Sequence, residues 1–204
     1  MRHGEVHNPT HVLYGRIPGF HLSELGHRMA QSAAESMSER DIRFLYASPL
    51  QRAQESAAPW ASLFRLRPVT EERIIEPANK FEGMHVQFPQ ILGQPKVWPW
   101  VVNPFAPSWG EHYTSIATRM LAAMEDAWAA ADGGEVAMVS HQLPIWMATR
   151  KVAGKALFHD ARKRRCSLSS ITSFERSPEG VWREVAYRDP AADLLAQSTD
   201  LGAV

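Results

Sequence analysis

The chain has 204 residues, of which 45% are hydrophobic and 22% charged, which is enough for one compact α/β domain with a sizeable core. Its 22 basic and 22 acidic residues give no net charge, so no global field favours nucleic acid or an anionic membrane, and any anion site must be local. With a single cysteine, no internal disulfide can form. The sequence shows neither a membrane-length apolar run nor a signal-peptide pattern, so we expect a soluble cytoplasmic protein.

Predicted strands and helices alternate along the chain. The predicted helices cover 23–38, with Ser23 as N-cap, 50–63, 111–131 and 142–152. The predicted strands cover 44–47, 136–139, 171–174 and 181–187, the last two as a hairpin across 177–180. Repeated strand and helix units predict a single α/β three-layer domain, with a mainly parallel central sheet and helices on both faces.

The least regular stretch is the proline-rich segment 77–107. A loop of that length in a compact domain usually has a function such as covering a site, so we expect a lid or specificity loop. The alternative is an ordered surface excursion pinned by Trp98 and Trp100.

Three segments suited to phosphate chemistry follow predicted strands or begin the chain. Arg2 and His3 are followed by a glycine, an arrangement in which a guanidinium holds phosphate oxygens while an imidazole presents a lone pair to phosphorus. Arg52 follows the strand 44–47, and His141 follows the strand 136–139. Because ligands of open α/β sheets bind beyond the carboxyl ends of the strands, we expect these side chains to surround one anion.

Taken in order, the motifs resemble those of the histidine phosphatase superfamily, which contains cofactor-dependent phosphoglycerate mutases and many small-molecule phosphatases. The similar segments are Arg2–Glu5, Asn8, Leu22–Gly26, Ser48–Ala53, Ile75–Glu76, Phe81–Gly83, Gly110–Glu111, Arg119, Ser140–His141 and Cys166–Thr172. The resemblance implies a phosphoglycerate mutase-like fold over 1–204.

The chain departs from the family pattern at four places. Asn8 is one residue nearer to the histidine than usual, Gln142 stands where glycine is common, and Cys166 stands where asparagine is frequent. Only Met1 precedes Arg2, where the family has several apolar residues of the central strand. We expect either an upstream start in the natural gene product or a first strand that is short and poorly ordered before Gly4.

The resemblance implies a metal-independent phosphatase that needs no cofactor and forms a phosphohistidine on His3. Arg2 and Arg52 are the expected phosphoryl clamp, and His141 the second pocket histidine, donating a hydrogen bond as imidazolium during transfer. Glu76 matches the position of the family's proton donor, with Glu82 and then Glu5 as rivals. Asn8, Gln142 and Glu82 are the expected substrate-binding residues, and Glu111 is expected to charge a helix start or to organise an arginine.

Three other functional interpretations remain open at this point. A mutase would return the phosphoryl group to a second hydroxyl, but the segment between Glu76 and Gly110 is short for a mutase of this family, which favours hydrolysis. A non-catalytic phosphate-binding module would keep the pocket without turnover. A metal could instead bind the amino terminus and His3, although Asn8-Pro9 disfavours a helix that would add nearby histidines.

The basic run Arg162–Arg165 could extend the anionic reach of the pocket or form a solvated face. Nucleic-acid binding is not expected, since no interleaved aromatics accompany the run. The expected partner is a small phosphorylated metabolite, with no membrane contact and an oligomeric state that the sequence leaves open.

Overall fold

The computed structural model describes residues 1–85 and 110–200. Its strands are β1 Ile42–Ala47, β2 Val69–Thr70, β3 Glu135–Val139, β4 Ile171–Arg176 and β5 Trp182–Arg188. Strand β1 pairs in parallel with β2 on one side and with β3 on the other, with Leu45 opposite Ala137. Strands β4 and β5 form an antiparallel pair, which confirms the predicted hairpin.

The helices are α1 Glu24–Glu35, α2 Gln51–Phe64, α3 Tyr113–Ala130, α4 Gln142–Val152 and the short α5 Ala192–Leu195. Two 3-10 helices cover Glu72–Ile74 and Ala161–Lys163. The four long helices begin and end within a few residues of their predicted bounds. Ser23 is the N-cap of α1, where its side chain accepts a hydrogen bond from the Gly26 amide.

Two apolar clusters place these helices on opposite faces of the sheet. One cluster joins α1 and α2 to β1 and β3 through residues such as Ala33, Trp60 and Leu45. The other joins α3, α4 and the first 3-10 helix to the opposite side of the same strands, through Met120 and Ala148 packed near Tyr46 and Met138. The domain therefore has the three expected layers.

The first residues extend the sheet beyond β3. Arg2 forms a parallel bridge with Ser140, and His3 donates its amide hydrogen to the Ser140 carbonyl at 3.1 Å. On the other side, the Arg2 amide donates to the carbonyl of Ser170 at 3.0 Å, and the Ser169 amide to that of His3 at 3.1 Å. Hydrogen bonds on both sides hold the segment before Gly4 in place, so it is not the poorly ordered strand that was one of the two expectations.

The expected lid or specificity loop, 77–107, lies largely outside the described residues, as do Trp98 and Trp100. Its described beginning is joined to the start of the following segment by a bridge between Asn79 and Gly110. Within 1–85 and 110–200, no helix has both the length and the apolar character needed to cross a bilayer.

Candidate active site

The predicted phosphate-handling residues meet at one edge of the sheet. The first segment, β1 and β3 all run in the same direction, so Arg2-His3, Ser48 and His141 lie where these strands end. The rings of His3 and His141 are tilted at 58° with their centroids 5.1 Å apart. Arg2, Arg52 and both histidines are at most 1% exposed. The structure thus brings the two rings together and places the charges of Arg52 and Arg2 close enough to act on His3.

His3 is held in a defined tautomer and charge state. Its Nδ1 lies 2.7 Å from the Gly4 carbonyl oxygen, which can only accept, so Nδ1 carries the proton and Nε2 has the lone pair. Burial, and then the charges of Arg52 and Arg2, lower the pKa of His3 well below its usual value. The ring is therefore neutral, as a nucleophile requires.

His141 is oriented by a hydroxyl and faces a carboxyl. Its Nε2 is 2.7 Å from Ser48 Oγ, while Nδ1 has no hydrogen-bond partner in the described part of the chain and lies 3.7 Å from Oε2 of Glu76. Burial, and then the charge of Arg52, lower the pKa of His141 well below its usual value. This ring is thus neutral, and the expected imidazolium requires the negative charge of a bound phosphoryl group.

Arg52 is a buried cation that forms no ion pair with a described residue. One terminal nitrogen donates to the Gly15 carbonyl at 2.7 Å, and the guanidinium carbon lies 4.8 Å from the centre of the Tyr14 ring. Its Nε has no partner among the described residues, and burial lowers its pKa. Such a desolvated cation is suited to bind an anion.

Arg2 already holds a carboxylate. Nη1 donates to the Cys166 carbonyl at 2.7 Å and to Asp200 Oδ2 at 2.7 Å, and Nη2 donates to Asp200 Oδ1 at 2.5 Å. Burial opposes the charge, but the Asp200 carboxylate offsets it and the pKa of Arg2 is raised. Asp200 thus occupies the fork with which an arginine binds two phosphate oxygens.

Glu76 is the acidic residue that the fold brings to the histidines. Its side chain is buried, and this burial raises its pKa to about 7 even though Arg52 and Arg2 act in the opposite direction. The rival Glu82 accepts from the Asn79 amide at 3.0 Å and packs against Gly15. Glu5 accepts from Ser23 and from the Thr199 amide.

Asn8 and the amino terminus each bond to the backbone. The Asn8 side-chain amide donates to the Val12 carbonyl and its oxygen accepts from the Val12 amide, within its own loop. The amino terminus donates to the Met138 carbonyl at 2.8 Å, which removes it from the chelating arrangement with His3. No group of three potential metal ligands was found within 1–85 and 110–200.

The close backbone approach that explains Gly4 involves a helix. A Cβ added to Gly4 would lie 2.4 Å from the Gly26 carbonyl oxygen, and one added to Gly26 would lie 2.0 Å from the Glu5 carbonyl oxygen. The two glycines let α1 contact the backbone directly beside His3. The absence of a side chain at these two positions is therefore a packing requirement.

The basic run separates into outward and inward residues. Arg162 pairs with Asp160 at 2.8 Å, and Arg165 pairs with Glu184 and stacks on Tyr187. Arg164 instead turns inward and donates to Gln142 Oε1 at 3.3 Å. Gln142, which directly follows His141 in the chain, is thereby joined to the inward-facing Arg164.

The sequence reasoning gave no individual role to three residues that the structure places at the site: Ser48, Tyr14 and Asp200. Ser48 stands inside a recognised motif and directly after β1, a position that could have indicated a role at the strand end. Asp200 and Arg2 are 198 positions apart in the sequence, so no local pattern predicts that they form an ion pair. Glu111, by contrast, organises Arg119 as expected, with two Nε–oxygen distances of 3.0 and 3.2 Å.

Comparison with known proteins agrees with this geometry. The model of the histidine phosphatase superfamily (branch 1) matches residues 1–190. A Mycobacterium tuberculosis protein of uncharacterized function is 48% identical over 193 residues, covering 94% of this chain and 95% of that protein. Phosphoserine phosphatase 1 of Hydrogenobacter thermophilus is 29% identical over 157 residues, covering 71% of this chain and 70% of that enzyme.

Solved structures show the same fold. A phosphoserine phosphatase from Entamoeba histolytica, in complex with 3-phosphoglyceric acid, superposes with a TM-score of 0.75 at 19% identity, covering 91% of this chain and 93% of that one. Since the family match extends over nearly the whole sequence, the chain belongs to the histidine phosphatase superfamily, branch 1.

Proposed function

We propose that this chain is a metal-independent phosphatase that hydrolyses a small phosphate ester through a phosphohistidine on His3. The observation that carries the proposal is the fixed tautomer of His3: Nδ1 is bound to the Gly4 carbonyl, which leaves Nε2 as an unprotonated nucleophile between two buried arginines. The phosphatases among its relatives and structural neighbours support the same reaction class.

In the first step, the lone pair of His3 Nε2 forms a bond to phosphorus while the bond from phosphorus to the ester oxygen breaks. The departing oxygen takes a proton from the Glu76 carboxyl and leaves as an alcohol. With a pKa of about 7, Glu76 retains a substantial protonated fraction near neutral pH, which suits a general acid. Arg2, Arg52 and His141 offset the charge on the phosphoryl oxygens.

In the second step, the Glu76 carboxylate takes a proton from water as the water oxygen attacks phosphorus. The nitrogen–phosphorus bond then breaks, inorganic phosphate is released, and His3 returns to its neutral form. The Asp200 carboxylate must leave the Arg2 fork, or share it, whenever a phosphoryl group binds there.

Trapping of the covalent intermediate tests the proposal. The chain is mixed with a ³²P-labelled ester in the presence of a chelator and quenched within milliseconds. We expect protein-bound label that is stable to base and labile to acid in the wild type and absent in His3→Ala. His27→Ala, which removes an exposed histidine, is the matched control and retains the label. Binding of the ester without any label indicates a non-catalytic module.

The identity of the acid is tested separately. Glu76→Gln is expected to lower kcat by about 10²–10⁴-fold for an alkyl ester, the usual contribution of a positioned acid or base. Glu82→Gln is the matched control. Full turnover in Glu76→Gln with none in Glu82→Gln transfers the role to Glu82. Transfer of the label to an added alcohol, with little free phosphate, indicates mutase-type chemistry instead.

A further inference from the structure

A cavity of about 440 Å³ adjoins the proposed phosphoryl site. Its wall includes Gln142, Arg164, Cys166 and Asp200. Two of these residues are acceptors of the Arg2 guanidinium, and Gln142 directly follows His141, so the cavity begins at the groups that would hold the phosphoryl end. The alcohol part of a bound ester has room to extend into it.

Arg164 is fixed in this cavity by neutral partners. Its Nε donates to His159 Nε2 at 2.9 Å, and one terminal nitrogen donates to Gln142 Oε1 at 3.3 Å. Burial lowers the pKa of His159 to about 4, so this partner carries no charge at neutral pH. Since a guanidinium has five N–H groups, these two bonds orient its plane and leave three N–H groups to bind another group.

Arg164 also lacks the counter-ion that its neighbours have. Arg162 and Arg165 each form an ion pair, whereas no carboxylate of residues 1–85 or 110–200 lies within ion-pair distance of Arg164. The side chain is partly buried, and burial lowers its pKa even though the charge of Glu76 acts in the opposite direction. A partly buried cation that donates to two neutral groups is stabilised when an anion binds beside it.

We propose that Arg164 is a specificity-determining residue that binds a second anionic group in the alcohol part of the substrate. This inference rests on the proposed phosphatase function, because it assumes that the phosphoryl group lies at Arg2 and His3. The preferred esters then carry two anions: the phosphoryl group at the histidines and a carboxylate or second phosphate at Arg164.

The test compares three phosphate esters built on a three-carbon chain: propyl phosphate, 3-(phosphonooxy)propanoate and propane-1,3-diyl bisphosphate. They end in a methyl group, a carboxylate and a phosphate respectively. We expect the wild type to favour at least one of the two doubly anionic esters over propyl phosphate by tenfold or more in kcat/KM. Whichever ester is preferred identifies the second anion.

Arg164→Gln is expected to lower kcat/KM for the preferred ester by about tenfold to a hundredfold, mainly through KM, the range for losing hydrogen bonds to a charged group. Propyl phosphate should change by less than about threefold, and Arg164→Lys should recover part of the preference. Lys163→Gln, which removes one positive charge from an exposed neighbour, is the matched control and should resemble the wild type.

The inference is overturned if Arg164→Gln reduces turnover of all three esters equally, if Lys163→Gln has the same effect, or if the wild type does not distinguish them. A calorimetric measurement separates this failure from failure of the proposed function. In a His3→Ala background, which cannot turn over, Arg164→Gln should still weaken binding of the preferred ester by tenfold or more. Unchanged Kd there rejects the second anion site, whereas absence of turnover in the wild type rejects the phosphatase.

Discussion

Replacing Asp200 by asparagine is expected to strengthen phosphate binding. The carboxylate of Asp200 accepts hydrogen bonds from both terminal nitrogens of Arg2, and a phosphoryl group needs the same N–H groups. The bound state must therefore give up this ion pair. Asparagine removes the charge with little change in shape, so the competition weakens.

The size of the effect follows from the exposure of the pair. Hydrogen bonds between charged groups contribute about 1.5–3 kcal/mol each when well buried. Arg2 is buried, but the Asp200 side chain is 39% exposed, so solvent screening reduces the pair to about 1–2 kcal/mol in total. At about 1.4 kcal/mol for each factor of ten, phosphate should bind about 5- to 30-fold more tightly to the variant.

The assay is the inhibition constant of inorganic phosphate, with calorimetry as an independent measure of Kd. Asp193→Asn removes an equal charge from an exposed position of α5 and serves as the control. Without phosphate, Asp200→Asn should also lower Tm, because the buried Arg2 loses its counter-ion, and phosphate should restore it. If the inhibition constant of phosphate is the same for Asp200→Asn, Asp193→Asn and the wild type, Asp200 does not compete with phosphate for the Arg2 guanidinium.

Three further predictions follow from the site and its support. Because the pKa of Glu76 is raised to about 7, its acid form is present below that pH and lost above it. The kcat/KM for an alkyl ester should therefore fall as the pH rises through 7, and Glu76→Gln should abolish this fall. Ser48→Ala removes the hydrogen-bond partner of His141 Nε2, so the ring is less well oriented and kcat should fall by about tenfold. Single-turnover kinetics measure this loss, and the melting curve should remain that of the wild type. Gly26→Ala forces a Cβ to 2.0 Å from the Glu5 carbonyl oxygen. Urea denaturation should therefore show a free energy of unfolding lower by about 2–4 kcal/mol, and an unchanged midpoint contradicts the contact.

Most regular elements could be predicted because local chemistry determines them. Ser23 supplies the oxygen that its helix start needs, and α4 has its predicted bounds. The hairpin of β4 and β5 turns at Gly180, whose φ of 83° favours glycine. Strand β2 was missed because two residues carry no periodic signal, and its pairing with β1 is supplied by the fold.

The residues of the candidate site likewise divide into those whose place the sequence predicts and those whose place only the fold determines. Arg2, His3, Arg52 and His141 stand in short motifs at strand ends, and parallel strands bring such positions to one edge of a sheet. The inward turn of Arg164 could not be predicted, because one of its hydrogen-bond partners, Gln142, lies 22 positions away and the other, His159, lies in the neighbouring loop. A run of basic residues gives no sign of which one points inward.

The contact between Arg2 and position 166 bears on which substitutions the site tolerates. Arg2 donates to the main-chain oxygen of Cys166, an acceptor that every amino acid provides. The Cys166 thiol itself is buried, and burial raises its pKa, so it stays protonated and uncharged beside the Arg2 guanidinium. Replacement of Cys166 by a residue of similar volume should therefore leave this hydrogen bond to Arg2 intact. Related proteins can then differ at position 166 without a change in the chemistry of the site.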